Sequence, residues 1–359
     1  MKKIPLAKPL IGRLERRAVG RVLRSGGLAQ GPEVAQFEKI FSKYVGDQEC
    51  VAVNSGTSGL QVALLSLGIG SGDEVIVPSF TFAATANCVA LTGAVPIFVD
   101  IDPITFNLDP KRIESEISKK TKAIIVVHLF GLPGCMEEIN KIALKHNLLV
   151  VEDAAQAHMA AIKDHPVGTF GDAAVFSFYP TKNMTSGEGG MVVLSDSEAA
   201  RRCRLLRNQG MEIRYQNEIV GFNLRMSDIH ASIGIVQLKR LPAWTERRIQ
   251  NANFLSEKIE SASTPLTPKG YKHVFHQFTI RIQRNRDLVS EKLFSRGIGN
   301  AVYYPTPVHR LPSFDLNLKL TESDLASKEV LAIPVHPSLT RSDLRRIAAE
   351  VNSIVDGLP

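Results

Sequence analysis

The sequence predicts an α/β fold, in which a mostly parallel β-sheet with helices on both faces precedes a smaller α+β C-terminal domain. Short apolar runs alternate with helix-length amphipathic stretches from residue 50 to 241, and strands separated by helices pair in parallel through right-handed crossovers. After Pro242 the pattern changes, and the strict alternation of residues 278–282 is typical of an antiparallel strand. We therefore expect a large domain over residues 1–241 and a small domain over residues 242–359.

Each predicted strand is a short run of apolar residues between turn-forming residues. The strands are predicted at Cys50–Val53, Val75–Val77, Val95–Val99, Ala123–Val127, Leu148–Val151, Ala173–Phe178 and Met191–Leu194. The helices have apolar residues three or four positions apart; they are predicted at 11–24, 32–45, 60–67, after Phe82, 110–118, 136–146, 196–207, 227–241, 244–259 and from Ser342 onward. In the strand 278–282, the three apolar residues are expected to face inward, and Thr279 and Arg281 outward.

Composition and charge are those of an ordinary globular protein. The 359 residues are 44% hydrophobic, and Lys and Arg exceed Asp and Glu by 43 to 36. This excess favours anionic ligands but does not indicate nucleic acid, because the basic clusters at 13–24 and 201–207 contain no interleaved aromatic residues. No apolar run is long enough to span a membrane and the N-terminus lacks the apolar segment of a secretory signal, so we expect a cytoplasmic protein. The four cysteines form no CxxC motif and predict neither disulfides nor a metal centre.

One acid and one amine are placed at the same edge of the predicted sheet. Asp153 follows the strand 148–151, and Lys182 lies in a loop of Pro, Thr, Asn, Ser and Gly after the strand 173–178. In parallel α/β sheets, ligands bind beyond the carboxyl ends of the strands. Pyridoxal phosphate (PLP) needs a lysine that binds it as a Schiff base, and commonly an aspartate that keeps its pyridine nitrogen protonated. The pair therefore suggests a PLP site; a helix-capping aspartate and a solvated loop lysine are the alternative.

A phosphate-binding turn is predicted at residues 54–58, between a strand and a helix. Backbone N–H groups at a helix N-terminus, the helix dipole and the hydroxyls of Ser55, Thr57 and Ser58 would all favour a dianion. A capped helix without a ligand is the alternative. Phe82 follows the next strand, where it could stack on a flat cofactor ring or belong to the core.

The histidines give a weaker signal. The proline-containing segment 303–308 could present His309 to a site, although a histidine in a surface loop is the alternative. We interpret His273 and His276 as residues that flank a strand, because no third metal ligand accompanies them. The sequence therefore predicts no metal site.

Nine motifs together resemble one family. In order along the chain they are GPEVAQFEKIF, NSGTSGL, GDEVIVPSFTFAATAN, VPIFVDID, VEDAAQAH, FSFYPTKN, GEGG, GFNLRMSDIHASIG and VYYPTPVH. With these motifs the sequence resembles the DegT/StrS sugar aminotransferases, a branch of the fold-type I PLP enzymes, over nearly its whole length. The resemblance implies that the large domain binds PLP.

The resemblance also implies roles for individual residues. It implies that Lys182 is catalytic and binds PLP as a Schiff base, that Asp153 pairs with the pyridine nitrogen, and that Gln156 contacts the ring hydroxyl side. Phe82 would stack on the ring, and the residues expected to hold the phosphate are Gly56, Thr57, Ser58 and Ser177. In relatives the asparagine at the position of Asn223 reaches the phosphate from the partner subunit, so a homodimer with shared active sites is expected. The residues expected to face the substrate are Arg225 and His309.

The implied reaction moves an amino group from L-glutamate or L-glutamine to a keto-sugar linked to a nucleoside diphosphate, most of all a 4-keto-6-deoxy sugar. A 3-keto-sugar, a keto-cyclitol and a non-catalytic PLP-binding regulatory protein remain as alternatives. Lys182 disfavours the dehydratases of the family, which carry histidine there. The sequence departs from the family at Met159, usually glycine, and at Gln61, commonly histidine; Met159 could reshape the pocket.

Overall fold

A computed structural model describes residues 2–358. Its strands are β1 (Glu49–Val53), β2 (Glu74–Pro78), β3 (Val95–Val99), β4 (Thr121–Val127), β5 (Leu149–Asp153), β6 (Ala161–Ile162), β7 (His165–Pro166), β8 (Ala173–Ser177), β9 (Gly190–Leu194), β10 (Tyr271–Lys272), β11 (Phe278–Arg281) and β12 (Val330–Ile333). Its α-helices are α1 (Arg13–Ser25), α2 (Pro32–Ser42), α3 (Gly56–Ser66), α4 (Ala84–Leu91), α5 (Met136–His146), α6 (Ser197–Arg207), α7 (Asp228–Lys258), α8 (Arg286–Ser295), α9 (Thr321–Glu329) and α10 (Arg341–Asp356).

Seven strands form one sheet in the order β1–β9–β8–β5–β4–β2–β3. The strands from β8 to β3 pair in parallel with one another, whereas β9 is antiparallel to both β1 and β8. The predicted mostly parallel sheet is therefore confirmed. Its parallel strands end at one common edge, where Asp153 closes β5 and Ser177 closes β8.

Helices cover both faces of this sheet, because successive residues of a strand face opposite sides. In β8, Val175 packs in one apolar cluster with Leu60 of α3. Its neighbour Phe176 packs on the opposite side in a second cluster with Phe37 and Phe41 of α2, and the rings of Phe41 and Phe176 are 5.1 Å apart. All five residues of β8 are consequently buried, as the continuous apolar run predicts.

The helix break predicted at Pro242 is wrong. Helix α7 is continuous over 31 residues, with Pro242 inside it. A proline removes one helical hydrogen bond and crowds the preceding turn, but buried residues flank this one on both sides, among them Leu238, Leu241 and Thr245. Tertiary packing thus holds the helix together where the local signal predicts a break.

The helix predicted at residues 110–118 is also wrong. Two short 3₁₀ turns, Pro110–Arg112 and Glu114–Glu116, occupy the stretch. The carboxylate of Asp109 accepts a hydrogen bond from the Lys111 N–H at 3.1 Å and closes the first turn. Only Ile113 of this stretch is fully buried, so there is too little apolar contact to hold an α-helix against the core.

The C-terminal part contains the predicted antiparallel strand, since β11 pairs antiparallel with β12. The expected inward residues Phe278, Ile280 and Ile282 are buried, but Thr279, expected to face outward, is buried as well. The domain boundary predicted at residue 241 stays a prediction. Helix α7 extends over this position, so part of it would belong to each domain. In the described residues 2–358, no helix is long and apolar enough to cross a membrane, and no group of three potential ligands could hold a metal ion.

Candidate active site

Asp153 is a buried carboxylate at the carboxyl edge of the sheet, 6% exposed. Its Oδ2 accepts a hydrogen bond from the Thr85 hydroxyl at 2.8 Å, and its Oδ1 accepts one from the N–H of Ala155 at 3.2 Å. Burial raises the pKa of Asp153, while these two bonds and the charge of Lys182 oppose the rise. The side chain is therefore fixed and oriented, with a charge that needs a cationic partner.

Lys182 lies half-buried in the loop after β8. Burial lowers its pKa to about 8, and the negative charge of Asp153 limits that decrease. Because each group acts on the pKa of the other, the structure brings the predicted acid and amine into one site. An amine with this pKa is partly neutral near physiological pH and can accept a proton.

We predict that Lys182→Met stabilises the cofactor-free protein by roughly 1–3 kcal/mol at pH 7. The pKa of Lys182 is about 8 in the native state, against an ordinary value of 10.5, so between these values the unfolded state binds more protons. The destabilisation is therefore complete below pH 8 and disappears as the pH rises through 10.5. Urea unfolding of both proteins at pH 7 and pH 10 measures the difference; an equal gain at both pH values would contradict the assignment of a buried ammonium.

The phosphate-binding turn predicted at residues 54–58 is the start of α3. Ser55 caps this helix, since its hydroxyl accepts the N–H of Ser58 at 3.1 Å. The following N–H groups, of Gly56 and Thr57, point out of the helix end, and Thr57 is exposed. A Cβ on Gly56 would lie only 2.9 Å from the Cβ of Ser177. Glycine thus lets the helix end approach β8 and leaves a cradle for an anion.

We predict that Gly56→Ala weakens PLP binding about 10- to 100-fold, because relieving the contact with Ser177 moves the helix end at a cost of about 1–3 kcal/mol. Gly20→Ala in α1 is the matched control, since its Cβ would come no nearer than 3.5 Å to the end of the flexible Arg24 side chain. Titration of both variants with PLP, followed by absorbance, measures the change. An unchanged dissociation constant for PLP in Gly56→Ala would contradict the assignment of the N-terminal end of α3 as the phosphate site.

The ring-binding residues predicted around Asp153 form a connected group. Gln156 accepts the N–H of Phe130 at 2.7 Å and donates from Nε2 to the hydroxyl of Tyr304 at 3.0 Å. Phe82 is 58% exposed, and its ring centroid lies 6.1 Å from that of Tyr304. One carboxylate, one amine, a glycine cradle and an exposed aromatic ring together match the chemistry of PLP.

The predicted substrate and partner residues are less clearly placed. Asn223 is exposed, and Arg225 donates to Oδ1 of Asn208 at 2.8 Å. His309 is fully buried; its Nδ1 lies 2.5 Å from the hydroxyl of Ser79, and its Nε2 has no partner among the described residues. Their roles stay predictions.

Two residues of the site were missed by the sequence reasoning. Thr85 bonds Asp153, and Tyr304 bonds Gln156. A hydroxyl three positions after Phe82, at the start of α4, was a usable signal for Thr85. Tyr304 lies 148 positions from Gln156, and no local pattern reports such a contact. Met159, which departs from the family, has a φ of +66°, in the left-handed region that favours glycine.

The chain is similar to known proteins over nearly its whole length. The profile of the DegT/DnrJ/EryC1/StrS aminotransferase family matches residues 9–352. The chain is 39% identical over 344 residues to the UDP-N-acetyl-3-dehydro-alpha-D-glucosamine 3-aminotransferase of Acidithiobacillus ferrooxidans, with 94% of this chain and 93% of that one covered. It is 40% identical over 345 residues to the pleiotropic regulatory protein of Geobacillus stearothermophilus, with 93% and 92% covered. The structure of S. venezuelae DesV matches with a TM-score of 0.93 and 37% identity, over 96% of this chain and 95% of that one.

Proposed function

Because this chain belongs to the DegT/DnrJ/EryC1/StrS aminotransferase family, we propose that it transfers an amino group from L-glutamate or L-glutamine to a keto-sugar linked to a nucleoside diphosphate. Aminotransferases of this family depend on PLP. The observation that carries the residue assignment is the pairing of Asp153 with Lys182 at the edge of one parallel sheet, where each charge acts on the pKa of the other.

Lys182 is proposed to move the protons. Bound PLP supplies an electron-accepting ring. With a pKa lowered to about 8 by burial, Nζ of Lys182 would take a proton from the α-carbon of the amino donor and deliver it to C4′ of the cofactor. Asp153, oriented by Thr85 and the N–H of Ala155, provides the negative charge that keeps the ring nitrogen protonated.

We propose a homodimer with shared active sites. Thr57 and Phe82 of the candidate cofactor site are open to solvent in a single chain, and Asn223 is exposed as well. Next to Asn223, Val220 is 93% exposed and Phe222 is 37% exposed. A second copy would cover this apolar surface and complete the site with its own Asn223. The cytoplasmic location also stays a prediction; all four cysteines are free, as is usual in a reducing compartment.

Two positions of the keto group on the sugar acceptor are candidates. The 4-keto-6-deoxy sugar is the acceptor predicted from the sequence, and Arg225 and His309 are the residues proposed to face it. A 3-keto-sugar is the second candidate, favoured by the name of the Acidithiobacillus ferrooxidans relative, a 3-aminotransferase. The non-catalytic alternative is supported by the regulatory name of the Geobacillus stearothermophilus relative.

The test follows both halves of the reaction. The PLP-loaded protein is treated with L-glutamate or L-glutamine, freed of amino acid, and offered nucleoside-diphosphate 4-keto-6-deoxy sugars, 3-keto-sugars and keto-cyclitols, with products identified by mass spectrometry. An aminated nucleotide sugar supports the proposal and names the keto position. An aminated cyclitol, or no product from any acceptor, would overturn the proposed substrate class. Failure of both donors to convert the cofactor would favour the regulatory alternative.

A further inference from the structure

The segment His273–Gln277, here called the clamp segment, connects the C-terminal part of the chain to the loop that carries Lys182. Asn183 follows the lysine and is 5% exposed; its Nδ2 donates to the carbonyl of Val274 at 3.2 Å. Its Oδ1 lies 3.3 Å from Nδ1 of His276. The clamp segment therefore holds the residue next to the lysine through one backbone bond and one side-chain contact.

The clamp segment also holds the other side of the candidate site. The N–H of Val274 donates to the carbonyl of Gly131 at 3.0 Å. The preceding residue, Phe130, donates its N–H to Oε1 of Gln156 at 2.7 Å. A Cβ on Gly131 would lie 2.9 Å from the backbone nitrogen of His276, so the two backbones touch without room for a side chain. Displacement of the clamp segment would thus disturb both Lys182 and Gln156.

A buried arginine of α7 fixes the turn inside the clamp segment. Arg248 is 6% exposed, and its Nη1 donates to the carbonyls of Phe275 at 3.1 Å and His276 at 3.4 Å. Phe275 has a φ of +44°, in a region that bulky residues rarely adopt, so this turn needs external support. Burial lowers the pKa of Arg248 to about 10, and no acidic side chain within residues 2–358 offsets that effect.

We propose that Arg248 is a positioning residue of the active site, which acts through the clamp segment and Asn183 to hold Lys182 in place for proton transfer. The inference rests on the proposed role of Lys182. The lysine lies in a loop without regular secondary structure, so its position depends on such contacts. A displacement of about 1 Å in a reacting group can lower a rate about 100-fold. Loss of the contacts that hold the loop of Lys182 is therefore expected to lower the rate.

We expect Arg248 to affect Lys182 by fixing the position of the lysine more than through its own charge. The titratable groups that face Lys182 are Asp153, His158 and His276. Burial lowers the pKa of His158 to about 3 and the pKa of His276 far below its usual value, so both rings are neutral at pH 7. The charge of Arg248 lowers the pKa of both histidines, but it does not act on the pKa of Lys182, so an effect of its removal on Lys182 reports mainly a movement.

The test compares Arg248→Met with Arg286→Met in the PLP-loaded protein. Arg286 is the matched control because it is also buried, at 8% exposure, and donates to the backbone carbonyls of Val330 and Ser327, which belong neither to the clamp segment nor to the loop of Lys182. Four quantities are measured for each variant: the free energy of unfolding, the midpoint of the pH titration of the PLP visible band, kcat, and KM for the sugar acceptor.

We expect Arg248→Met to lower kcat about 10- to 100-fold with KM changed less than about twofold, and to move the titration midpoint by about half to one pH unit. Arg286→Met is expected to lose similar stability without either change. Arg248→Lys keeps a cation at the carbonyls and is expected to lie between wild type and Arg248→Met.

Equal kinetics and midpoints in the two Met variants would overturn the inference. If Arg248→Met does not fold, Asn183→Ala carries the same comparison. A visible band that survives in Lys182→Ala would instead refute the proposed role of Lys182.

Discussion

The Asp153→Asn variant is expected to lose about 100- to 10,000-fold in kcat/KM while it stays folded. Asparagine has nearly the same shape but no charge, so it cannot hold a proton on the ring nitrogen of PLP. Removing one preorganised electrostatic group from an active site costs about 2.7–4 kcal/mol in the reaction barrier, and each 1.36 kcal/mol corresponds to about tenfold in rate. Among the residues that the structure describes, Asp153 is the only group whose charge opposes the lowering of the pKa of Lys182.

Thr85→Val is the matched control for this prediction, because it removes one hydrogen bond to Asp153 and keeps the charge. A loss of about tenfold is expected there, in line with about 1–1.5 kcal/mol for one hydrogen bond. Steady-state kinetics with the amino donor and urea unfolding of each variant separate activity from folding. Wild-type kcat/KM in Asp153→Asn would show that Asp153 has no role in the reaction.

The Glu152→Gln variant is expected to lose about 3–5 kcal/mol of stability, because it removes one charge from a fully satisfied buried network. Glu152 precedes Asp153 in β5 and is fully buried. Its Oε1 accepts the N–H groups of Phe170 and Gly171 at 2.8 and 3.0 Å, and its Oε2 accepts the N–H of Gly168 at 2.8 Å.

His128 completes this network, since its Nε2 lies 3.0 Å from Oε2 of Glu152 while its Nδ1 accepts the N–H of Gly134. Both carboxylate oxygens thus accept hydrogen bonds. In glutamine one of the two oxygens is replaced by an NH₂ group, which is itself a donor and would face the donors that this oxygen had accepted from. Urea unfolding of the cofactor-free variant measures the loss. Stability within about 0.5 kcal/mol of wild type would contradict this account of the network. Of the two adjacent carboxylates, we therefore expect Glu152 to support the fold and Asp153 the reaction.

The sequence predicted those features that depend on local pattern and on the common direction of parallel strands. The apolar runs gave the seven strands, and the edge rule for parallel sheets brought Asp153 and Lys182 together although they are 29 positions apart. Gly56 was predicted to lie in the turn that leads into a helix; the structure places it at the first position of α3, and the close approach to Ser177 explains why a side chain would not fit there.

Features that depend on tertiary packing could not be predicted. A proline inside α7 signals a break, and only the buried residues on both sides show why the helix continues. The contacts of Asn183 with Val274 and of Gln156 with Tyr304 join residues 91 and 148 positions apart. His309 is polar and follows prolines, which suggests a surface loop, yet it is fully buried against Ser79.

The central claim is that Lys182 binds PLP and moves the proton of the amino donor. The most direct test is the visible absorption spectrum of the purified protein with PLP, before and after L-glutamate, for wild type and Lys182→Ala. We predict a visible band in the wild type that disappears with L-glutamate, and no such band in Lys182→Ala. A band of the same position and strength in Lys182→Ala, or a wild-type band that neither L-glutamate nor L-glutamine changes, would contradict the claim.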